Sequence, residues 1–312
     1  MRVYKLLVVC VILLIVLATA AAQEVEVATS IAFTEGPTAD AAGNIFFTDQ
    51  TNNRIMKLSV DSKLSTFRQP ANYANGLVFD SQWHLLACES GDPSTAVPPR
   101  ITRTYLDTGR IEILADNYEG KRFVAPNDIT FDGHGRIYFS DKPATNTGEG
   151  GVYRIDVDGR ITRILAPPAI EVPNGLVISP DDKTFYLVES NQAVKGARMI
   201  RAYDLKADGT LTNMRVFHNF YPGRSGDGMS IDVKGNLYVA AGLHRRRGTS
   251  ETLDTRPGIH IFAPSGKLLK LIPIPEDLVT NCAFGGPDLK TLYVTAGKTL
   301  FKVRTDVEGT RR

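Results

Sequence analysis

Six positions along the chain place an amide or carboxylate side chain just ahead of a short apolar run: Glu35, Asn75, Asn127, Asn174, Asp227 and Asn281. The sharpest is Gly226-Asp227-Gly228-Met229-Ser230-Ile231-Asp232, an acid between two glycines before an alternating strand pattern, with no positive charge beside it. Glu35, Asn127, Asn174 and Asp227 offer two carboxylates and two amide carbonyls, without a matching Cys or His set. Hard oxygen donors of this kind suit calcium, admit magnesium or manganese, and match zinc least well. The plainer alternative is that Asn and Asp cap turns and bond local backbone. That turn role is preferred for Asn75 and Asn281 and is weakest for Glu35, because glutamate is a poor turn former.

The elements that must carry these residues recur with them. Asn44-Ile45-Phe46-Phe47-Thr48-Asp49, Arg136-Ile137-Tyr138-Phe139-Ser140-Asp141, Thr184-Phe185-Tyr186-Leu187-Val188-Glu189, Asn236-Leu237-Tyr238-Val239-Ala240 and Thr291-Leu292-Tyr293-Val294-Thr295 are β-branched or aromatic runs. Each follows a turn rich in Gly or Asp, and the clearer repeats also show short apolar strands before and after. The repeats start 40 to 54 residues apart. Self-similarity at that period, with strands and no helical stretch between, predicts an all-β, six-bladed β-propeller with four-stranded blades around a central channel. The last repeat supplies only three convincing strands, so the segment from Glu24 to Ala32 is expected to add its outer strand and cover the open edge. The propeller is assigned to residues 23–305, with a polar tail at 306–312. In a blade the first strand lines the axis, so all six polar positions should meet at one mouth of the channel. The long loops from Glu89 to Arg100, Lys142 to Gly150, Ser190 to Arg198 and Gly242 to Pro257 crowd the same face, as binding loops on a rigid scaffold do.

Composition narrows the function further. Arg2 and Lys5, an apolar run from Leu6 to Leu17 and the small residues Ala20-Ala21-Ala22 form a signal-peptide pattern over residues 1–22. The expected destination is secreted or periplasmic, with no membrane attachment after cleavage. Removing Arg2 and Lys5 from 36 basic residues leaves 34, equal to the 34 acidic ones, which argues against nucleic acid or anionic lipid as a partner. Cys88 and Cys282 remain in the mature chain, too few for a disulfide framework. Serine-hydrolase elbows, zinc-protease helices and phosphate-binding glycine loops leave no signature. His244, in the long loop of the fifth repeat, is a candidate substrate-binding group able to shuttle a proton, against the plainer reading of a loop histidine.

The chain resembles the gluconolactonase family that includes senescence marker protein and luciferin-regenerating enzyme. The resemblance runs from about Glu35 to Val303. It rests on Glu35-Gly36-Pro37, Ala125-Pro126-Asn127-Asp128, Val172-Pro173-Asn174-Gly175-Leu176, Gly226-Asp227-Gly228-Met229 and Thr280-Asn281-Cys282-Ala283-Phe284-Gly285 in order. It implies a divalent cation in the channel, calcium first, held by Glu35, Asn174 and Asp227, with Asn127 a fourth ligand or a substrate contact. It further implies Asp227 as general base or nucleophile and Arg122 as a substrate-binding group; Asp128, next in the chain to a proposed ligand, is read as a brace for it. The activity implied is hydrolysis of a sugar lactone such as an aldonolactone, a small-molecule substrate. Organophosphate triester cleavage at the same site, or a non-catalytic ligand-binding propeller with a structural ion, are the alternatives.

Overall fold

The computed structural model describes residues 23–92, 94–143 and 149–310. The expected export segment, residues 1–22, lies outside the described residues, as does part of the loop after Lys142. Among the described residues there is no helix; the strands form six four-stranded antiparallel sheets and one two-stranded hairpin. Each sheet is a blade of the expected β-propeller. Blade 1 comprises Thr34–Ala39, Ile45–Asp49, Arg54–Leu58 and Leu64–Arg68, hydrogen-bonded in that order from the axis outward.

The innermost strands of blades 2 to 6 are Ala74–Phe79, Pro126–Phe131, Pro173–Ile178, Gly226–Ile231 and Val279–Gly285. All six polar positions found in the sequence therefore stand near the start of an innermost strand. The second strands, such as Ile137–Asp141 and Leu237–Ala241, are buried on both faces, because each blade stacks against two neighbours. Outer strands such as Leu64–Arg68 and Leu211–Asn219 are largely solvated.

The apolar core is divided among the gaps between blades. Tyr186, Val188 and Phe220 pack on Met229, Ile231 and Val239 between blades 4 and 5. Leu86, Cys88 and Ile101 meet Ile129, Phe139 and Tyr153 between blades 2 and 3. The ring closes where Ile45, Phe47 and Met56 meet Leu300. As expected, the N-terminal segment completes the last blade: Val25–Ser30 pairs antiparallel with Thr299–Arg304, Val25 opposite Val303 and Ser30 opposite Thr299. Residues 306–310 do not hang free. The backbone N–H of Val233 donates to the Glu308 carbonyl, and that of Thr310 donates to the Ile231 carbonyl, so the tail crosses the far end of blade 5.

Two features were not foreseen. A hairpin of Asn117–Tyr118 and Lys121–Arg122 leads into blade 3. Every innermost strand also breaks register at its polar position, between Glu35 and Thr38, Ala74 and Leu77, Pro126 and Ile129, Pro173 and Leu176, Gly226 and Met229, and Val279 and Asn281. Bulges re-aim side chains and commonly lie beside functional sites.

Candidate active site at the channel mouth

The bulges allow the innermost strands to converge more closely than side chains would permit. A Cβ on Gly36 would lie 2.0 Å from the Asn75 carbonyl oxygen, and one on Gly175 would lie 2.1 Å from that of Asp227. One on Gly228 would fall 1.9 Å from Cγ of Asn281. Glycine after the polar residue is thus what brings neighbouring ring positions together. Blades 3 and 6 carry Asp128 and Cys282 at that step instead, and both side chains are buried beneath the ring.

Acids at the ends of second strands hold the linkers that feed the ring. Asp141 accepts hydrogen bonds from the backbone N–H groups of Val124 and Ala125, just ahead of Asn127. Glu189 does the same for Glu171 and Val172, ahead of Asn174. Asp49 accepts from Phe33, ahead of Glu35. These acids are structural, and each fixes the direction from which a ring residue arrives.

The ring itself is electrostatically uneven. Glu35 is buried, and its carboxylate accepts a hydrogen bond from the adjacent Gly36 N–H. Burial, then the negative charge of Asp227, pushes its carboxyl up to about 8, with Lys142 opposing. Asp128 is pushed up to about 7, first by burial and further by Asp227, although the Ile129 N–H bonds to it. Asn174 donates from Nδ2 to Asp227 Oδ1 at 2.7 Å and to Ser190 Oγ at 3.3 Å. Asn281 turns Oδ1 to its neighbour, accepting from the Cys282 N–H at 2.8 Å, the local backbone bond expected of it.

Glu35, Asn174 and Asp227 are therefore brought together, with Asn127 on the adjacent innermost strand. The other two candidates lie apart from them. Arg122 is exposed on its hairpin, and His244 is exposed with Nε2 2.8 Å from the Ile274 carbonyl oxygen. That contact ties His244 to the loop before blade 6. Cys88 and Cys282 are both free and buried; their thiols lie against the carbonyl oxygens of Asp128 and Tyr238.

One expectation is corrected. Asp227 does have a positive charge beside it, for Arg224 reaches back to place a guanidinium nitrogen 2.5 Å from Oδ2. The signal lay three residues upstream, in a linker whose path the sequence does not reveal. Lys142 was also missed as more than a loop boundary, since its charge acts on both Glu35 and Asp128.

The donor set fits a hard divalent cation. A buried Glu35 whose proton affinity is raised by the charge of Asp227 is what such a cation relieves. Among the described residues no three His, Cys, Asp or Glu side chains form a ligand group. An ion here would therefore need amide oxygen from Asn174 or Asn127 as well as Glu35 and Asp227. The Asn174 amide can present either oxygen or nitrogen by a half-turn.

Two cavities flank the ring. On the mouth face, loops of blades 3 and 4 enclose about 1030 Å³ lined by Lys142, Pro143, Ile170, Glu171, Ser190 and Asn191 among others. Below, the channel holds a smaller cavity of about 130 Å³ between Asp128 and the far face. The upper one has room for a small ligand, and Ser190 connects it to Asn174 and so to Asp227.

A family profile described as SMP-30/Gluconolactonase/LRE-like region matches residues 33–298. The chain is 31% identical to a gluconolactonase of Zymomonas mobilis subsp. mobilis, over 91% of this chain and 81% of that protein. It is 29% identical to pentonolactonase XacC of Haloferax volcanii, over 61% of this chain and 62% of that one. The solved structure of XC5397 from Xanthomonas campestris, described as a gluconolactonase, superposes with a TM-score of 0.76 at 26% identity, over 90% of this chain and 89% of that one.

Proposed function

The chain belongs to the SMP-30/gluconolactonase/LRE-like family, and from that footing we propose that it hydrolyses a sugar lactone, an aldonolactone, at the channel mouth with a divalent cation bound. The observation that carries this reading is the convergence of buried Glu35 and Asn174 with Asp227 on one ring, with the Asn174 amide 2.7 Å from the Asp227 carboxylate. Relatives named gluconolactonase and pentonolactonase support the substrate class. Calcium is the preferred cation, on the hardness of the oxygen donors.

Glu35, Asn174 and Asp227 would hold the cation, with Asn127 a fourth ligand or a contact to substrate. When bound, it supplies Lewis-acid polarisation of the lactone carbonyl. Asp227 holds the attacking water and accepts its proton as the water oxygen adds to the carbonyl carbon. The ring C–O bond then breaks, and the leaving alkoxide takes up a proton to give the hydroxy acid. The cavity beside Lys142 and Ser190 receives the sugar hydroxyls. Arg122 and His244 remain substrate-binding candidates from the loops only, since neither touches the ring in this structure. Export, directed by the leader at residues 1–22, belongs to the same proposal and is tested by the N-terminus of the secreted protein.

The test is a panel of aldonolactones and one phosphotriester, offered to the purified protein with and without chelator, alongside Glu35→Gln. The expected result is lactone turnover that chelation abolishes and Glu35→Gln lowers by about 10²-fold or more. Turnover of the phosphotriester alone, or lost thermal stability with no turnover of anything, would replace the lactonase reading.

A further inference from the structure

Asp227 has a neighbour that the lactonase reading leaves without a task. Arg224 is buried, with one guanidinium nitrogen 2.5 Å from Asp227 Oδ2 and the other 2.9 Å from the Val279 carbonyl oxygen. The bond to Val279 braces blade 5 against blade 6, and a neutral donor would serve for that. What it does not require is a permanent positive charge aimed at a candidate metal ligand. Oδ1 of the same carboxylate is meanwhile held by Asn174 from blade 4. Asp227 is thus fixed through both oxygens, and through one of them by charge.

We propose that Arg224 is a resident counter-ion of Asp227, positioning its carboxylate and weakening the hold of the site on a divalent cation. The inference rests on the reading of the ring as a metal site. Arginine stays charged at any working pH, so the repulsion it offers an incoming cation is constant. Its bond to Oδ2 also draws negative charge away from the oxygen that remains for the cation. In the metal-free protein the same charge offsets Asp227, which otherwise stands unpaired beside Glu35 in a buried ring. Arg224 therefore keeps the empty-handed ring assembled while moderating how tightly it grips an ion. A residue serving only as a brace would, when weakened, loosen the ligands and weaken ion binding. A resident counter-ion, when neutralised, strengthens it.

Calcium titrated calorimetrically into the chelator-treated full chain separates the two. Arg224→Gln retains a hydrogen-bond donor without the charge and is expected to bind calcium at least about tenfold more tightly than wild type. Arg224→Lys retains the charge and is expected to stay within about threefold of wild type. Melting temperatures of the metal-free proteins report folding separately. Unchanged or weaker binding by folded Arg224→Gln overturns the proposal. Should that variant fail to fold, tighter binding by Arg224→Lys overturns it and unchanged binding supports it. A wild type that binds no calcium refutes the ring as a metal site and this inference with it; binding without tightening refutes the role of Arg224 alone.

Discussion

Burial of Glu35 beside Asp227 gives the ring a pH signature of definite sign. Its carboxyl is raised from 4.5 to about 8, and that of Asp128 from 3.8 to about 7. Between those values the unfolded chain has released protons that the folded protein still holds, so the stability of metal-free protein falls as pH rises from about 4 to 8. A cation favours the ionised forms, so if the ring binds calcium as proposed, binding near neutral pH should expel protons and tighten as pH rises. Glu35→Gln removes the share of this dependence that Glu35 contributes. Thermal unfolding in excess chelator at about pH 5 and 8 should show wild type losing more stability between them than Glu35→Gln does. An equal loss in both proteins would mean that Glu35 does not titrate as its surroundings dictate.

Among the elements, the innermost strands decide whether ring residues can meet. Gly175 is the clearest lever, since a methyl group there would press on the carbonyl oxygen of Asp227 itself. Gly175→Ala should cost about 2–3 kcal/mol and displace Asp227 from Asn174, lowering lactone turnover more than a surface Gly248→Ala control, whose Cβ meets nothing within 4 Å and whose backbone does not need a positive φ. Denaturant unfolding and steady-state rates on both variants check this; wild-type turnover in Gly175→Ala would show that the close approach does not serve the site. The sequence made these strands legible because each pairs a polar residue with an apolar run and a Gly or Asp turn, six times over. Asp227 and Gly228 could be placed at the axis on that ground alone. The register breaks could not, because a bulge shows only when the partner strand is in view. Arg224 stayed hidden for a related reason, since its reach to Asp227 depends on the path of the linker from blade 4. Arg122 was singled out by the family resemblance, but the hairpin at 117–122 carries it away from the ring into solvent.

At the scale of the whole molecule, the ring is only as rigid as its closure. Val25–Ser30 covers the edge of Thr299–Arg304, and Ala28 packs on the cluster that joins blade 6 to blade 1. A chain starting after Ile31 should melt lower by roughly 5 °C or more and self-associate through the bared edge; thermal unfolding and sedimentation would show it, and an unchanged monomer would mean the ring closes without this strand. On the proposed function, the closed six-bladed ring gathers oxygen ligands for one cation that lactone hydrolysis requires. The most direct measurement is the initial rate of aldonolactone opening as calcium is returned to chelator-treated protein, in wild type and in Asp227→Asn. The expected result is a wild-type rate that starts at the uncatalysed level and saturates as one cation binds per chain, and a rate at least about 10³-fold lower in Asp227→Asn at saturating calcium. A wild-type rate indifferent to chelation, or an Asp227→Asn protein that opens the lactone as fast as wild type, would contradict it.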